Sequence, residues 1–315
     1  MKNLKIIFMG TPEFAVGCLK EIIKNNLDVV AVVTTPDRPA GRGRKLKASA
    51  VKEYALKHQI DVLQPIDLKE EAFIQSLAAY NADLFVVVAF RLLPKVIWAM
   101  PSLGTFNLHA SLLPKYRGAA PINWAIINGE KETGVTTFLL DEKIDTGALL
   151  FSETVSITNS ETAGTLHDKL LSKGKQLVLK TIKHLSDDNV KPQPQEHRED
   201  MTYAPKLTPS NTRIDWNKTG KEIELFIRGL SPYPTAWTEL EEDNERKKIK
   251  IYFARFEKEI HQNKIGKIYF TKNQLKIAVT DGYINILEMQ MPGRKRMAIQ
   301  DICNGYKFSL NSQVC

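Results

Sequence analysis

Short apolar runs alternate with segments of helical spacing along the first part of the chain. Leu4 to Met9 and Val29 to Val33 are β-branched runs, and Glu13 to Lys24 between them carries Phe14, Val16, Leu19, Ile22 and Ile23. This pattern predicts strand, helix, strand. Ala50 to His58 predicts a second helix, and Leu84 to Val88, Gly104 to Leu108, Val135 to Leu140 and Leu149 to Ile157 predict further strands. Ser160 to Leu185 reads as a long closing helix. Strands apolar on both faces and alternating with helices imply a sheet buried between helical layers. Residues 1–190 are therefore expected to form an α/β domain with a doubly wound, mostly parallel sheet.

The pattern changes after Asp187-Asp188-Asn189. Residues 191–209 hold Pro192, Pro194, Pro205 and Pro209 with no sustained apolar period, which predicts a linker crossing the surface. In residues 210–315 one helix, Lys218 to Gly229, precedes strand-like runs at Ala236 to Leu240, Ile249 to Phe256, Gly266 to Phe270, Leu275 to Val279 and Tyr283 to Glu288. Short strands with turn signals between them predict a small OB-like β-barrel. Two domains also suit 315 residues, which exceed one comfortable core.

Composition narrows the class. At 43% hydrophobic and 25% charged residues, disordered and fibrous classes are excluded. The apolar run Ile6 to Met9 is too short for a signal peptide, and Leu84 to Phe90 is too short to span a membrane. A cytoplasmic protein with no membrane partner is expected. Cys18, Cys303 and Cys315 form no Cys-x-x-Cys pair, and His58, His167, His184, His197 and His261 lack metal-ligand spacing. No metal is expected. The net charge of +8 is moderate, but Arg38, Arg42, Arg44, Lys45, Lys47 and Lys52 cluster without an intervening acid among Pro39, Gly41 and Gly43. That is a basic loop, a solvated charge run or a phosphate-seeking one. Basic and aromatic residues also coincide at Lys247-Lys248, Lys250, Tyr252 and Phe253, and at Arg294 to Arg296. OB-like barrels use such faces for oligonucleotides, whereas edge lysines also serve against aggregation.

The turn after the first strand reads Gly10-Thr11-Pro12-Glu13, not the Gly-x-Gly-x-x-Gly of a dinucleotide site. No phosphate-binding loop and no Gly-x-Ser-x-Gly elbow appear either. Nicotinamide and flavin cofactors are therefore not expected. Asn107 and His109, two apart at a strand end, share a face and can point together into the crevice where open α/β sheets bind ligands. An amide beside an imidazole suits a tetrahedral oxyanion. Asp145, in Asp141 to Gly147, adds a carboxylate that could orient the imidazole. Together they suit acyl transfer without a covalent nucleophile. Taken singly, each residue also fits a plainer role: a strand-end histidine bonded to backbone, or a turn aspartate.

Several longer motifs carry a resemblance over nearly the whole chain. They are Phe8 to Phe14, Pro36 to Gly43, Asn107-x-His109 with Ser111 to Pro121, Asp145-Thr146-Gly147, and Ile227 to Trp237. On these the sequence resembles the folate-dependent formyltransferases. The resemblance implies that Asn107, His109 and Asp145 are catalytic, with Asn107 as main oxyanion donor, His109 as second polariser or proton shuttle, and Asp145 orienting it. It implies 10-formyltetrahydrofolate as formyl donor, associated with Ser111, Leu112, Leu113 and Pro114 and, around the pterin, with Val88, Phe90 and Asp141. Family members commonly read Ala-Tyr-Gly-x-x-Leu-Pro, where this chain has Ala89-Phe90-Arg91-Leu92-Leu93-Pro94. The resemblance implies formylation of methionine carried on initiator tRNA, with Arg42 of the basic loop at the acceptor end. Arg38, Arg44, Lys45 and Lys47, and Lys248 and Arg296 in the barrel, are the further RNA-contact candidates. A monomer is expected. A formyltransferase acting on glycinamide ribonucleotide or an amino sugar, a formyltetrahydrofolate hydrolase, and a non-catalytic RNA-binding protein are the alternatives.

Overall fold

The structure is a computed structural model and describes residues 4–40, 45–196, 201–243 and 245–315. The first elements are β1 (Lys5–Gly10), α1 (Glu13–Lys24), β2 (Asp28–Val33), β3 (Arg38–Ala40), β4 (Lys45–Lys47), α2 (Ala50–Lys57), β5 (Asp61–Leu63) and α3 (Glu71–Ala79). β6 (Leu84–Val88), α4 (Lys95–Trp98), β7 (Thr105–His109), β8 (Arg117–Gly118), α5 (Pro121–Ile127), β9 (Glu132–Leu139), β10 (Leu149–Ser156) and α6 (Ala163–Ser186) come next. The remainder comprises β11 (Tyr203–Ala204), α7 (Gly220–Leu230), β12 (Ala236–Glu242), β13 (Glu245–Lys258), β14 (Ile268–Phe270), β15 (Leu275–Val279), β16 (Gly282–Gln290), β17 (Met297–Ala298), α8 (Ile299–Gly305) and β18 (Gln313–Val314).

Two compact units are present, and each draws on more than one stretch of chain. The first takes Met1–Gly118, Thr133–Ser156 and His167–Tyr203. Its sheet runs β10-β9-β7-β6-β1-β2-β5. β2, β1, β6 and β7 are parallel neighbours, β5 joins β2 in parallel, and β9 is antiparallel to β7. The chain moves from β1 outward through β2 to β5, then returns to β6 on the other side of β1. That reversal makes a switch point at the carboxyl ends of β1 and β6, beside β7. Ile6, Ile7, Phe8 and Met9 are all fully buried, as a strand covered on both faces requires. α1 covers the sheet with Phe14, Ala15, Cys18, Leu19 and Ile22, and each large side chain so buried contributes about 1.5–3 kcal/mol. Gly10 has a packing reason: a Cβ there would lie 2.6 Å from the Ala15 Cβ and 2.8 Å from the Val88 carbonyl oxygen. The glycine thus lets α1 start against β1 and β6.

Part of the basic loop is ordered as a hairpin. β3 pairs antiparallel with β4, setting Arg38 opposite Lys47 and Pro39 opposite Leu46. The sequence pattern also passed over α3, whose buried stripe is only Phe73 and Leu77.

The second unit takes Ala119–Glu132, Ile157–Leu166 and Ala204–Cys315. Its sheet follows the order β14-β15-β16-β13-β12-β18. The two ends meet, with Val314 N donating to Gly266 O at 2.8 Å and Ile268 N donating to Ser312 O at 3.2 Å. This closes the sheet into the expected OB-like barrel. Ile249, Ile251, Ile277, Ile284, Ile286 and Met289 fill it from alternating positions. α7 begins in a capping box between Thr219 and Glu222 and packs Ile223, Ile227 and Leu230 on the same core. Among the described residues no helix is long and apolar enough to cross a membrane.

Candidate active site

β7 ends at the crevice, and its alternation puts Thr105, Asn107 and His109 on one face. Asn107 sits between Val87 of β6 and Phe138 of β9. It is half-buried, and its carboxamide has no hydrogen-bond partner among the described residues. His109 is buried. Its Nε2 lies 2.8 Å from the Tyr116 carbonyl oxygen. A carbonyl only accepts, so Nε2 carries a proton and donates it. Nδ1 is thereby left facing Asp145, whose Oδ2 lies 3.8 Å away. That separation is a charge-pair distance and not a hydrogen bond.

Two loops hold this pair. In the first, Ser111 Oγ donates to Lys115 O at 2.6 Å and Thr136 Oγ1 of β9 donates to Ser111 O at 2.7 Å. Leu113 N donates back to Thr136 Oγ1 at 3.2 Å. Tyr116, which presents its carbonyl to His109, stands at φ +59°. In the second loop Asp141 accepts from Thr146 Oγ1 at 2.7 Å and from Lys143 N at 3.0 Å. Asp145 adopts φ +55°. Gly147 follows where a Cβ would lie 1.7 Å from Leu139 O. The loops meet where Gly118 N donates to Asp145 Oδ2 at 2.9 Å. This bond fixes the Asp145 side chain beside the imidazole.

The remaining donor-site candidates lie around the same edge. Val88 closes β6 and is fully buried, Phe90 is half-buried, and the Arg91 guanidinium carbon stands 5.6 Å from the Phe90 ring centre. Ser111 and Leu113 are buried, while Leu112 and Pro114 are half-buried. Beside them opens a groove of about 500 Å³ lined by Leu68, Arg91, Leu92, Leu93, Trp98 and Glu142, among others. It begins one residue past Phe90 and one past Asp141, so its wall is drawn from the neighbours of those residues. Lys95 and Glu142 pair at its rim at 2.7 Å. Both are largely exposed, so the pair adds little stability.

Of the RNA-contact candidates, Arg42 and Arg44 lie outside the described residues, and Lys45 is placed on β4 by its backbone. Arg38 and Lys47 are exposed partners across the hairpin. Lys52 is engaged by Asp37 at 2.8 Å. In the barrel unit the Lys248 ammonium stands 3.8 Å from the Trp237 ring centre and the Arg213 guanidinium carbon 5.4 Å from it. Arg296 stacks 4.7 Å from Tyr252 and pairs with Glu288. Sequence reasoning missed the Tyr116 carbonyl, Thr136, Arg117 and Gln195. The first acts through backbone, and the others carry no spacing signal that ties them to His109.

An α/β unit with an amide, an imidazole and a carboxylate at a strand's carboxyl end, followed by a closed barrel, defines a class. The formyl transferase family model matches residues 3–182, and the formyl transferase C-terminal domain model matches residues 206–307. The chain belongs to the formyl transferase family. It is 55% identical over 314 residues, covering 100% of this chain and 100% of the relative, to the methionyl-tRNA formyltransferase of Flavobacterium johnsoniae. It is 47% identical over 313 residues to the enzyme of that name from Bacteroides thetaiotaomicron, covering 98% of this chain and 97% of the relative. Among solved structures, a sugar 3N-formyl transferase crystallised in the presence of dTDP and 5-N-formyl-THF is similar with a TM-score of 0.65. Its sequence identity is 23%, over 94% of this chain and 100% of that one. HypX from Aquifex aeolicus in complex with tetrahydrofolic acid gives a TM-score of 0.66 at 17% identity, over 98% of this chain and 49% of that one. These two share the fold.

Proposed function

We propose that this protein transfers the formyl group of 10-formyltetrahydrofolate to the amino group of methionine on initiator tRNA, giving formylmethionyl-tRNA for translation initiation. The observation that carries the reading is the convergence of Asn107, His109 and Asp145 at the carboxyl end of β7, in a chain matched end to end by relatives of that name. Residues 1–190 serve as the catalytic part and residues 210–315 as the RNA-binding part, joined through 191–209, in a cytoplasmic monomer.

The groove beside the site suits the donor. Leu68, Leu92, Leu93 and Trp98 offer apolar walls for a flat heterocycle. When bound, the folate supplies an activated formyl carbon and a nitrogen leaving group. The chain's own residues manage charge and protons. The Asn107 amide, which has no hydrogen-bond partner among the described residues, is available to donate to the formyl oxygen as it becomes negative. His109 exchanges protons only at Nδ1, because Nε2 is committed to the Tyr116 carbonyl. Nδ1 takes the proton that the attacking amine sheds, and the Asp145 carboxylate stabilises the resulting imidazolium. The same Nδ1–H then returns the proton to the leaving nitrogen. No covalent enzyme intermediate is needed.

Arg38 and Lys47, and Lys248 and Arg296, act as phosphate or stacking contacts for the tRNA. The test is a competition among acceptors: methionyl initiator tRNA, glycinamide ribonucleotide and a dTDP-amino sugar, each with labelled 10-formyltetrahydrofolate. Preference for the tRNA by at least about 100-fold in kcat/KM, some 2.7 kcal/mol, is expected. Equal or greater use of a small amine would overturn the substrate assignment.

A further inference from the structure

We infer that Gln195, in the segment joining the two expected domains, is a positioning residue that holds the Asp145 loop in its reactive conformation. The inference rests on the reading of His109 and Asp145 given above. The Gln195 Oε1 accepts from Arg117 Nη2 at 2.6 Å and from Arg117 Nε at 3.2 Å. Its Nε2 donates to Gly147 O at 2.7 Å and to Asp145 O at 3.0 Å. The amide orientation is fixed by chemistry, since a guanidinium only donates and a backbone carbonyl only accepts. Only a carboxamide of this length presents an acceptor to one side and a double donor to the other.

These bonds complete a ring. Arg117 is 7% exposed and precedes Gly118, whose amide donates to Asp145 Oδ2. Gln195 links that arginine back to the main chain of Asp145 itself. The clamp spans a segment in which Asp145 stands at φ +55° and Gly147 leaves no room for a side chain. A non-glycine residue in the left-handed region is held there by its surroundings. The segment around Gln195 is itself anchored. Leu149 and Gln193 exchange hydrogen bonds at 2.7 and 2.9 Å, and Tyr116 N donates to Thr202 O at 2.6 Å. The Tyr116 bond steadies the carbonyl that orients His109, while Gln195 steadies the carboxylate on its other side. Gln195 and Thr202 thus set the two halves of the pair.

Gln195→Glu keeps the acceptor for Arg117 and loses the donors, whereas Gln195→Leu loses both. In the full-length protein both variants are expected to lose kcat by about tenfold or more, as misplacement of a reacting group does, with KM for both substrates kept within threefold. Gln195→Leu should also displace the pH profile of kcat, and Gln195→Glu should keep its thermal midpoint within a few degrees. Hydrogen exchange at the Gly118 amide reads the clamp without turnover. It should quicken about tenfold or more in Gln195→Leu while amides of β1 and β6 stay protected. A wild-type protein that formylates none of the acceptors would refute the reading of function, and the exchange result would still decide the clamp. Wild-type kcat and pH profile in Gln195→Leu, or unchanged exchange at Gly118, would overturn the inference.

Discussion

Replacing Asp145 by Asn removes one negative charge and little else. The Asn carbonyl oxygen can still accept the Gly118 N–H bond, so the loop keeps its tie. What is lost is the interaction with a protonated His109 whose Nδ1 lies 3.8 Å from Oδ2. At an effective dielectric near 20, two unit charges at that distance attract by about 4 kcal/mol. In the proposed mechanism His109 gains a proton on the way to the transition state, so the barrier should rise by roughly that amount. The expected loss in kcat is about 10³-fold, with unfolding free energy kept within about 1 kcal/mol. The assay is single-turnover formyl transfer at saturating donor and acceptor, with urea denaturation run in parallel. The pair is largely shielded from solvent, so the loss should be similar at low and high salt. A loss below tenfold would show that the carboxylate does not act on the charge of His109. A loss that tracked the unfolded fraction would reduce Asp145 to a loop tie.

Asn107→Ala should lower kcat by about 10²- to 10³-fold, the usual cost of one oxyanion donor. Its carboxamide has no protein partner to lose among the described residues, so the thermal midpoint should barely move. Glu242→Ala removes a buried acceptor shared by Tyr306 Oη, Ser309 N and Ser312 Oγ, and should destabilise the protein by about 3 kcal/mol or more in urea denaturation. Burial pushes the Cys18 thiol up to about 12, and burial with the nearby Glu242 pushes the Tyr306 phenol up to about 12. Both groups bind their protons more tightly when folded. Their contribution to stability is therefore present below the ordinary thiol and phenol ranges and is lost as pH climbs toward 12. Thermal midpoints measured from pH 8 upward should fall accordingly, and Cys18 should resist alkylation at pH 8 until the protein unfolds.

The elements legible in the sequence were those with an unambiguous period. α1 carries five buried residues at helical spacing, and β6 is apolar throughout; both were read at their observed bounds. α3 and α5 were not read, because α3 shows only two buried anchors and α5 opens with Pro121 directly after a turn motif. The basic stretch read as a loop because glycine and proline dominate it, although cross-strand pairing orders its two arms. Asn107 and His109 were readable as neighbours because a strand's period is two. Asp145 was readable only by residue type, since its meeting with His109 depends on two loops distant in sequence. The Tyr116 carbonyl and the double bond from Gln195 to the Asp145 loop leave no trace in any local pattern.

The most direct measurement is a rapid-quench, single-turnover comparison of the wild-type protein with Asn107→Ala and His109→Ala, using labelled 10-formyltetrahydrofolate and methionyl initiator tRNA. Label on the methionine amine with the wild type, slowed at least about 100-fold in each variant while both stay folded, is the predicted result. Label released only as formate or carried to another amine, or variants that match the wild-type rate, would contradict the account.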